Sequence, residues 1–246
     1  MAEILAIIPA RSGSKGVVDK NIKLLAGRPM LAYTIAAALL TPSIARVIVS
    51  TDSQRYADIA MGYGAEVPFL RPAELSQDLS TDYDVMKHLL DWLQENEDRY
   101  PEFLVHLRPT TPLRDPTHIA NAIRAFIQAD SATALRSVHK MSESAYKTFE
   151  IDHDYLKCVG SGSFALDAAN RPRQSFSDTF HGNGYVDILR VSHILRERKI
   201  HGDRVMAYVT PPAFEVDSIE DFEYLEYTIA KHPEILNTLF GTGSVQ

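Results

Sequence analysis

The sequence predicts an α/β fold with a doubly wound, mostly parallel sheet, and three observations carry that prediction. Short apolar runs rich in branched residues, at 4–8, 46–51 and 103–107, have the length and composition of strands buried on both faces. The stretches between them place apolar residues at helical spacing, the alternation expected of βαβ units. The first run ends abruptly at Pro9, in a loop that holds Gly13, Gly16 and the cations Arg11, Lys15 and Lys20. A polar loop leaving the C-terminal end of a buried strand is where open α/β sheets bind ligands.

The remaining elements follow in order. Residues 29–40 read as the first helix, with Pro29 at a first helical position and Met30, Leu31, Ile35 and Leu39 at helical spacing. After the strand at 46–51 comes a short helix at 54–62 with a glycine stop, then a third strand at 66–70. A strong helix at 82–95 carries Val85, Leu89, Trp92 and Leu93 on one stripe. The strand at 103–107 runs into Arg108-Pro109-Thr110-Thr111-Pro112-Leu113-Arg114, a turn stiffened by two prolines. Asp115-Pro116 opens a helix to about residue 129, and 132–138 is another strand. From 139 to 184 the periodicity degrades, which predicts an excursion from the main sheet. Strands at 185–189 and 205–209, a short helix at 192–198, an extended piece at 215–218 and a last helix at 219–231 complete the chain.

The 246 residues suit one domain, 1–246, with a well-buried core. Hydrophobic residues at 45% and charged residues at 23% are ordinary for a globular chain. A net charge of −7 argues against a nucleic-acid partner, so the positive charge of the first loop is local and suits a small anion. The one cysteine, Cys158, leaves no internal disulfide and fits a reducing, cytoplasmic setting. No run approaches the roughly 18 apolar residues of a membrane span.

Gly13 and Gly16 permit backbone angles closed to other residues, and free amides beside them can point at an anion. With the three cations, the loop reads as a phosphate cradle; a basic, flexible surface loop is the plainer alternative. It is neither a P-loop nor a dinucleotide fingerprint, because Lys15 precedes Gly16 and no helix opens before residue 29.

Ile8-Pro9-Ala10-Arg11-Ser12-Gly13-Ser14-Lys15-Gly16, followed by Lys20-Asn21, resembles the opening signature of the acylneuraminate (nonulosonate) cytidylyltransferases. That resemblance implies a Rossmann-like sheet of the nucleotide-diphospho-sugar transferase type and CTP-dependent activation of a sialic-acid-like sugar to its CMP-sugar. It implies that Ala10, Arg11, Ser14, Lys15, Lys20 and Asn21 hold the nucleotide, with Lys20 also catalytic. Arg71 and Ser80 match further segments of the nucleotide pocket. Read without it, Arg71 suits a surface ion pair equally well, and Ser80 suits a helix cap before Asp82 better than a contact.

Nucleotidyl transfer also needs a divalent cation, and Mg²⁺ takes one or two carboxylates with waters and phosphate oxygens. Glu215 and Asp217, two apart in an extended piece, share a face. By position alone Asp217 or Ser218 serves equally well to cap the last helix. The resemblance implies magnesium binding here, with Glu215 standing where relatives carry the first Asp of Asp-x-Asp. Asp52, at a strand end, is placed either to orient Lys20 or a metal-bound water, or to cap the following helix.

Arg108 stands where the family has a glutamine that touches the sugar. A guanidinium only donates, whereas an amide also accepts, so the sugar expected here differs from N-acetylneuraminate. The excursion holds Lys147, Arg173 and Gln174, which the resemblance places on a dimerisation arm that reaches a neighbour's sugar site. A homodimer or dimer of dimers is therefore expected; an exposed basic arm without catalytic meaning is the alternative. Two rival functions stay open: the same fold with another nucleotide or an octulosonate-type sugar, and a non-catalytic nucleotide-binding scaffold.

Overall fold

The computed structural model describes residues 3–13 and 16–241. Ser14 and Lys15, two of the expected phosphate contacts, lie outside the described residues. The chain opens with β1 (Ile4–Pro9), whose residues alternate between two cores: Ala6 and Ile8 face one, Leu5 and Ile7 the other. A small hairpin, β2 (Leu24–Leu25) and β3 (Arg28–Pro29), precedes α1 (Met30–Leu39). Next come β4 (Arg46–Ser50), α2 (Gln54–Gly62), α3 (Asp82–Glu97) and β5 (Phe103–His106). Then follow α4 (Pro116–Ile127) and β6 (Ala134–Lys140). A hairpin of β7 (Phe149–Asp152) and β8 (Tyr155–Cys158) stands apart from the main sheet. The chain returns through β9 (Phe180–Arg190), α5 (Val191–Glu197), β10 (Val205–Val209), α6 (Ile219–Lys231) and α7 (Glu234–Phe240).

The main sheet has the order β10-β6-β9-β5-β1-β4. All pairings are parallel except those of β9, which runs antiparallel to both β5 and β6. One core packs Leu31 and Tyr33 of α1, Ile119 and Phe126 of α4 and Phe222 of α6 against the sheet. The other packs Met86, Leu89 and Leu93 of α3 with Ile194 of α5. Helices cover both faces, so the sheet is doubly wound and mostly parallel, as the alternating pattern predicts.

Two expectations are corrected. Residues 66–70 form no strand; only isolated bridges form, Glu66 to Ile48 of β4 and Leu70 to Thr51 just beyond its end. Pro68 lies between them and has no N–H to give a ladder. The excursion is shorter than 139–184, because β6 and β9 stay paired out to Lys140 opposite Phe180. Gly182, Asn183 and Gly184 lie in an irregular stretch of β9, where the register shifts and Gly184 has φ 61°. The hairpin of β2 and β3 and the last helix, α7, were not predicted; their runs are too short to show a period.

Strands β1, β4 and β5 run side by side and end together. The loops after them, from residues 10, 51 and 107, therefore gather at one edge of the sheet, where open α/β folds bind ligands.

Candidate active site

A cleft of about 470 Å³ opens at that edge. The first loop forms one wall through Arg11, Gly16, Lys20 and Asn21, and Glu215 and Asp217 form part of the rim. Gly16 lies so close to the opposite wall that a Cβ there would be 2.5 Å from the Asp217 carbonyl oxygen. Lys20 Nζ donates to the Val216 carbonyl at 2.6 Å and to Asp217 Oδ1 at 3.1 Å. Asn21, buried, donates to the Arg11 carbonyl at 3.0 Å and so braces the start of the loop. Arg11 pairs with Asp78 across the cleft at 3.0 Å. Ala10 lies beneath, buried, with its N–H given to the Ser50 carbonyl at 2.9 Å, which takes that amide out of reach of an anion.

The acidic wall is hooked onto the loop after β5. Val216 N–H donates to the Thr110 carbonyl at 2.7 Å, and the Thr110 hydroxyl donates to Glu215 Oε1 at 2.7 Å. The cap of α6 is Ser218, in a capping box with Asp221, so the Asp217 carboxylate is not the cap. It projects instead toward Lys20 and is 77% exposed. Arg71 is not a surface group either. It is 4% exposed, lines the cleft and donates from Nε to the Ser76 hydroxyl at 2.9 Å. Burial lowers its pKa, with Asp52 opposing and Arg11 adding to the shift. Ser80 lines the cleft, but its hydroxyl accepts from Gln77 N–H; Thr81, not Ser80, caps α3.

Arg108 also lines the cleft, and it is held at both ends of its fork: Nη1 donates to Asp187 at 2.9 Å, Nη2 to Asp82 at 2.7 Å. Asp187 is fully buried in β9. Neither acid was singled out from the sequence as a partner of Arg108, though an aspartate inside the apolar run Tyr185-Val186-Asp187-Ile188-Leu189 was the signal available. Arg114 was missed as well. Buried, it donates to the carbonyls of Arg108, Gly184 and Tyr185 and to the Thr34 hydroxyl, tying the proline turn to β9 and α1. Asp52 neither faces Lys20 nor caps α2; it accepts from Ser12, and Ser53 is the cap.

Lys147, Arg173 and Gln174 do not join this cleft within one chain. Lys147 Nζ sits 6.0 Å over the Phe176 ring, Arg173 donates to the Met141 carbonyl at 3.0 Å, and Gln174 is exposed. His181 is exposed beside His139 and away from the cleft.

A cytidylyltransferase family model matches residues 5–227. The chain belongs to the cytidylyltransferase family. An N-acylneuraminate cytidylyltransferase of Escherichia coli O18:K1:H7 is 36% identical over 223 residues, which cover 90% of this chain and 51% of that protein. This cytidylyltransferase-family chain thus spans about half the length of that relative. A CMP-N,N'-diacetyllegionaminic acid synthase of Campylobacter jejuni is 31% identical over 232 residues, covering 94% of this chain and 96% of that one. Among solved structures, a CMP:2-keto-3-deoxy-manno-octonic acid synthetase complexed with CTP superposes with a TM-score of 0.69 at 15% identity. It covers 94% of this chain and all of that one, and it shows the shared fold.

Proposed function

We propose that this protein transfers a cytidylyl group from CTP to a sialic-acid-like sugar acid, giving a CMP-sugar and pyrophosphate. The observation that carries the reading is the contact of the basic loop with the acidic wall at Gly16 and Lys20, in a chain of this family. On this reading Arg11, Lys20 and Asn21, with Ser14 and Lys15, hold the phosphates; Arg71 and Ser80 lie toward the nucleoside. The sugar's anomeric hydroxyl gives up its proton to solvent and attacks the α-phosphorus, the bond from that phosphorus to the bridging oxygen breaks, and pyrophosphate leaves with the charge that the loop's cations neutralise.

Asp217 and Glu215 would hold Mg²⁺. Their oxygens are hard donors, and among the described residues no group of three or more His, Cys, Asp or Glu forms a metal cage. That donor set fits an ion which completes its shell with phosphate oxygens and water. When bound, the ion supplies neutralisation of the triphosphate charge. The rest of the work falls to this chain: Lys20 fixes Asp217, and Thr110 fixes Glu215.

Arg108 and Asp82 present a donor and an acceptor side by side at the sugar end of the cleft. Together they offer both functions of the amide that Arg108 replaces, so N-acetylneuraminate and a diacetylated legionaminic acid both belong among the candidates. The hairpin of β7 and β8 exposes Ile151 at 77% and Tyr155 at 71%. That apolar surface supports a homodimer in which Lys147, Arg173 and Gln174 serve the neighbour's cleft. Among the described residues no helix is long and apolar enough to cross a membrane. The proposed setting is the cytoplasm.

The test is a pyrophosphate-release panel with magnesium, all four nucleoside triphosphates, and neuraminate-, legionaminate- and octulosonate-type acids. Turnover with CTP and a nine-carbon acid is expected; CTP binding without turnover on any acid would mark a scaffold instead. Gly16→Ala should lower kcat/KM at least about tenfold, roughly 1.4 kcal/mol, because its Cβ and the Asp217 carbonyl are both on the backbone and one wall must retreat. A variant within about twofold of the parent would break the link between this contact and activity.

A further inference from the structure

One short segment, residues 52–56 at the start of α2, grips the phosphate loop at both of its feet. At the first foot, Asp52 accepts the Ser12 N–H at Oδ1 and the Ser12 hydroxyl at Oδ2, each at 2.7 Å. At the second, Tyr56 donates its hydroxyl to Asp19 Oδ1 at 3.0 Å, and Arg55 reaches the other oxygen at 3.1 Å. Tyr56 is 1% exposed, and burial together with Asp19 raises its pKa, so the phenol stays a donor at neutral pH. Asp19 is in the left-handed region at φ 51°, a conformation that needs outside support in a non-glycine residue.

The second foot leads directly into the cleft. Ile22 and Lys23 N–H donate back to the Asp19 carbonyl at 2.9 and 3.0 Å, which starts the turn Lys20–Ile22. That turn carries Lys20 to Val216 and Asp217. The gripping segment has its own support, because Ser53 caps α2 and Tyr56 and Ala60 are buried in the core. Neither Asp52 nor Tyr56 lines the cleft.

We propose that Asp52 and Tyr56 are positioning residues that hold the loop in its nucleotide-binding shape before ligand arrives. The inference rests on the reading that the loop holds a triphosphate. A loop with two glycines has many conformations to lose on binding, and fixing its feet in advance removes part of that cost. The grip acts on the nucleotide side alone, since the Arg108 end of the cleft is held by other residues, Asp82, Asp187 and Arg114.

Tyr56→Phe removes one hydroxyl and keeps the ring. Its KM for CTP should rise about tenfold, the size expected of a hydrogen bond to a charged group. Its KM for the sugar acid should stay within about twofold. Asp52→Asn keeps an acceptor for the Ser12 N–H and should cost less than Asp52→Ala. In the free protein, amide exchange should quicken at Ile22 and Lys23 in Tyr56→Phe and at Ser12 in Asp52→Ala. Unchanged exchange at those amides overturns the grip, whether or not the parent turns over CTP. Equal rises in both KM values overturn it too, as a general loss of structure. A parent that turns over no sugar acid, with exchange responding as described, keeps the grip and removes the functional reading.

Discussion

An Asp217→Ala variant is expected to keep measurable CTP binding and to lose kcat by about a thousandfold or more, roughly 4 kcal/mol of barrier. The fold should hardly notice the change. The cap of α6 belongs to Ser218 and Asp221, and Lys20 keeps its bond to the Val216 carbonyl when the carboxylate is gone. The Lys20–Asp217 pair is exposed on the acid's side, and such pairs contribute less than about 1 kcal/mol. The close approach to Gly16 uses the Asp217 carbonyl, which alanine retains. What the variant removes is a negative oxygen aimed into the cleft beside Lys20, which the proposed reading assigns to the metal. Steady-state kinetics, a thermal melt and CTP titration separate the cases. A kcat within about tenfold of the parent, about 1.4 kcal/mol, removes Asp217 from that role. A collapse of the melting temperature would instead make it structural.

The sequence made the frame and the loop visible because both rest on local signals. Branched apolar runs mark the buried strands, and Pro9, Gly13 and Gly16 mark where the chain must turn. The strand expected at 66–70 failed on a single residue, Pro68, which punctuates only when its N–H is needed by a neighbour that the sequence does not reveal. Asp217 was legible as a pair with Glu215, but its separation from the capping role needed the coordinates, since Asp217 and Ser218 are both good caps. The contacts of Asp52 with Ser12 and of Tyr56 with Asp19 join residues 40 and 37 apart. Periodicity carries no information about such pairs. Arg108 could be marked as a departure from its family's glutamine, yet nothing local said that two acids, 26 and 79 residues away, would take both sides of its fork.

That fork sets the second large effect: Asp187→Ala is expected to cost about 3–5 kcal/mol of unfolding free energy, the range for removing one partner of a buried pair. In the sheet Asp187 lies opposite His106 of β5 and Arg136 of β6, and it is fully buried. His106 offers it no positive charge. Burial first, and then the Arg108 guanidinium, lower the His106 pKa to about 4, so the ring is neutral at neutral pH. Arg136 Nε and His201 Nε2, at 3.9 and 3.8 Å, stand outside hydrogen-bond reach. Arg108 at 2.9 Å is therefore the partner that matters. Burial alone would raise the Asp187 carboxyl; the Arg108 cation, hydrogen-bonded to it at 2.9 Å, outweighs burial and holds the pKa well below the usual carboxylate range. A depressed carboxyl stabilises the folded state above the unfolded pKa of about 3.9, and that contribution fades as pH falls toward the folded value. The gap in stability between parent and variant should thus be full at pH 7 and shrink below about pH 4. Urea unfolding across that range reads it. A loss under about 1 kcal/mol at pH 7 would show that the buried acid is not the anchor of Arg108. Adding Arg108→Gln to Asp187→Ala removes the cation left with Asp82 as its one remaining close partner, and should restore at least half of the lost stability. If the double variant is instead as unstable as the two single losses summed, the destabilisation comes from the emptied volume in β9, and the charge argument for this end of the cleft fails.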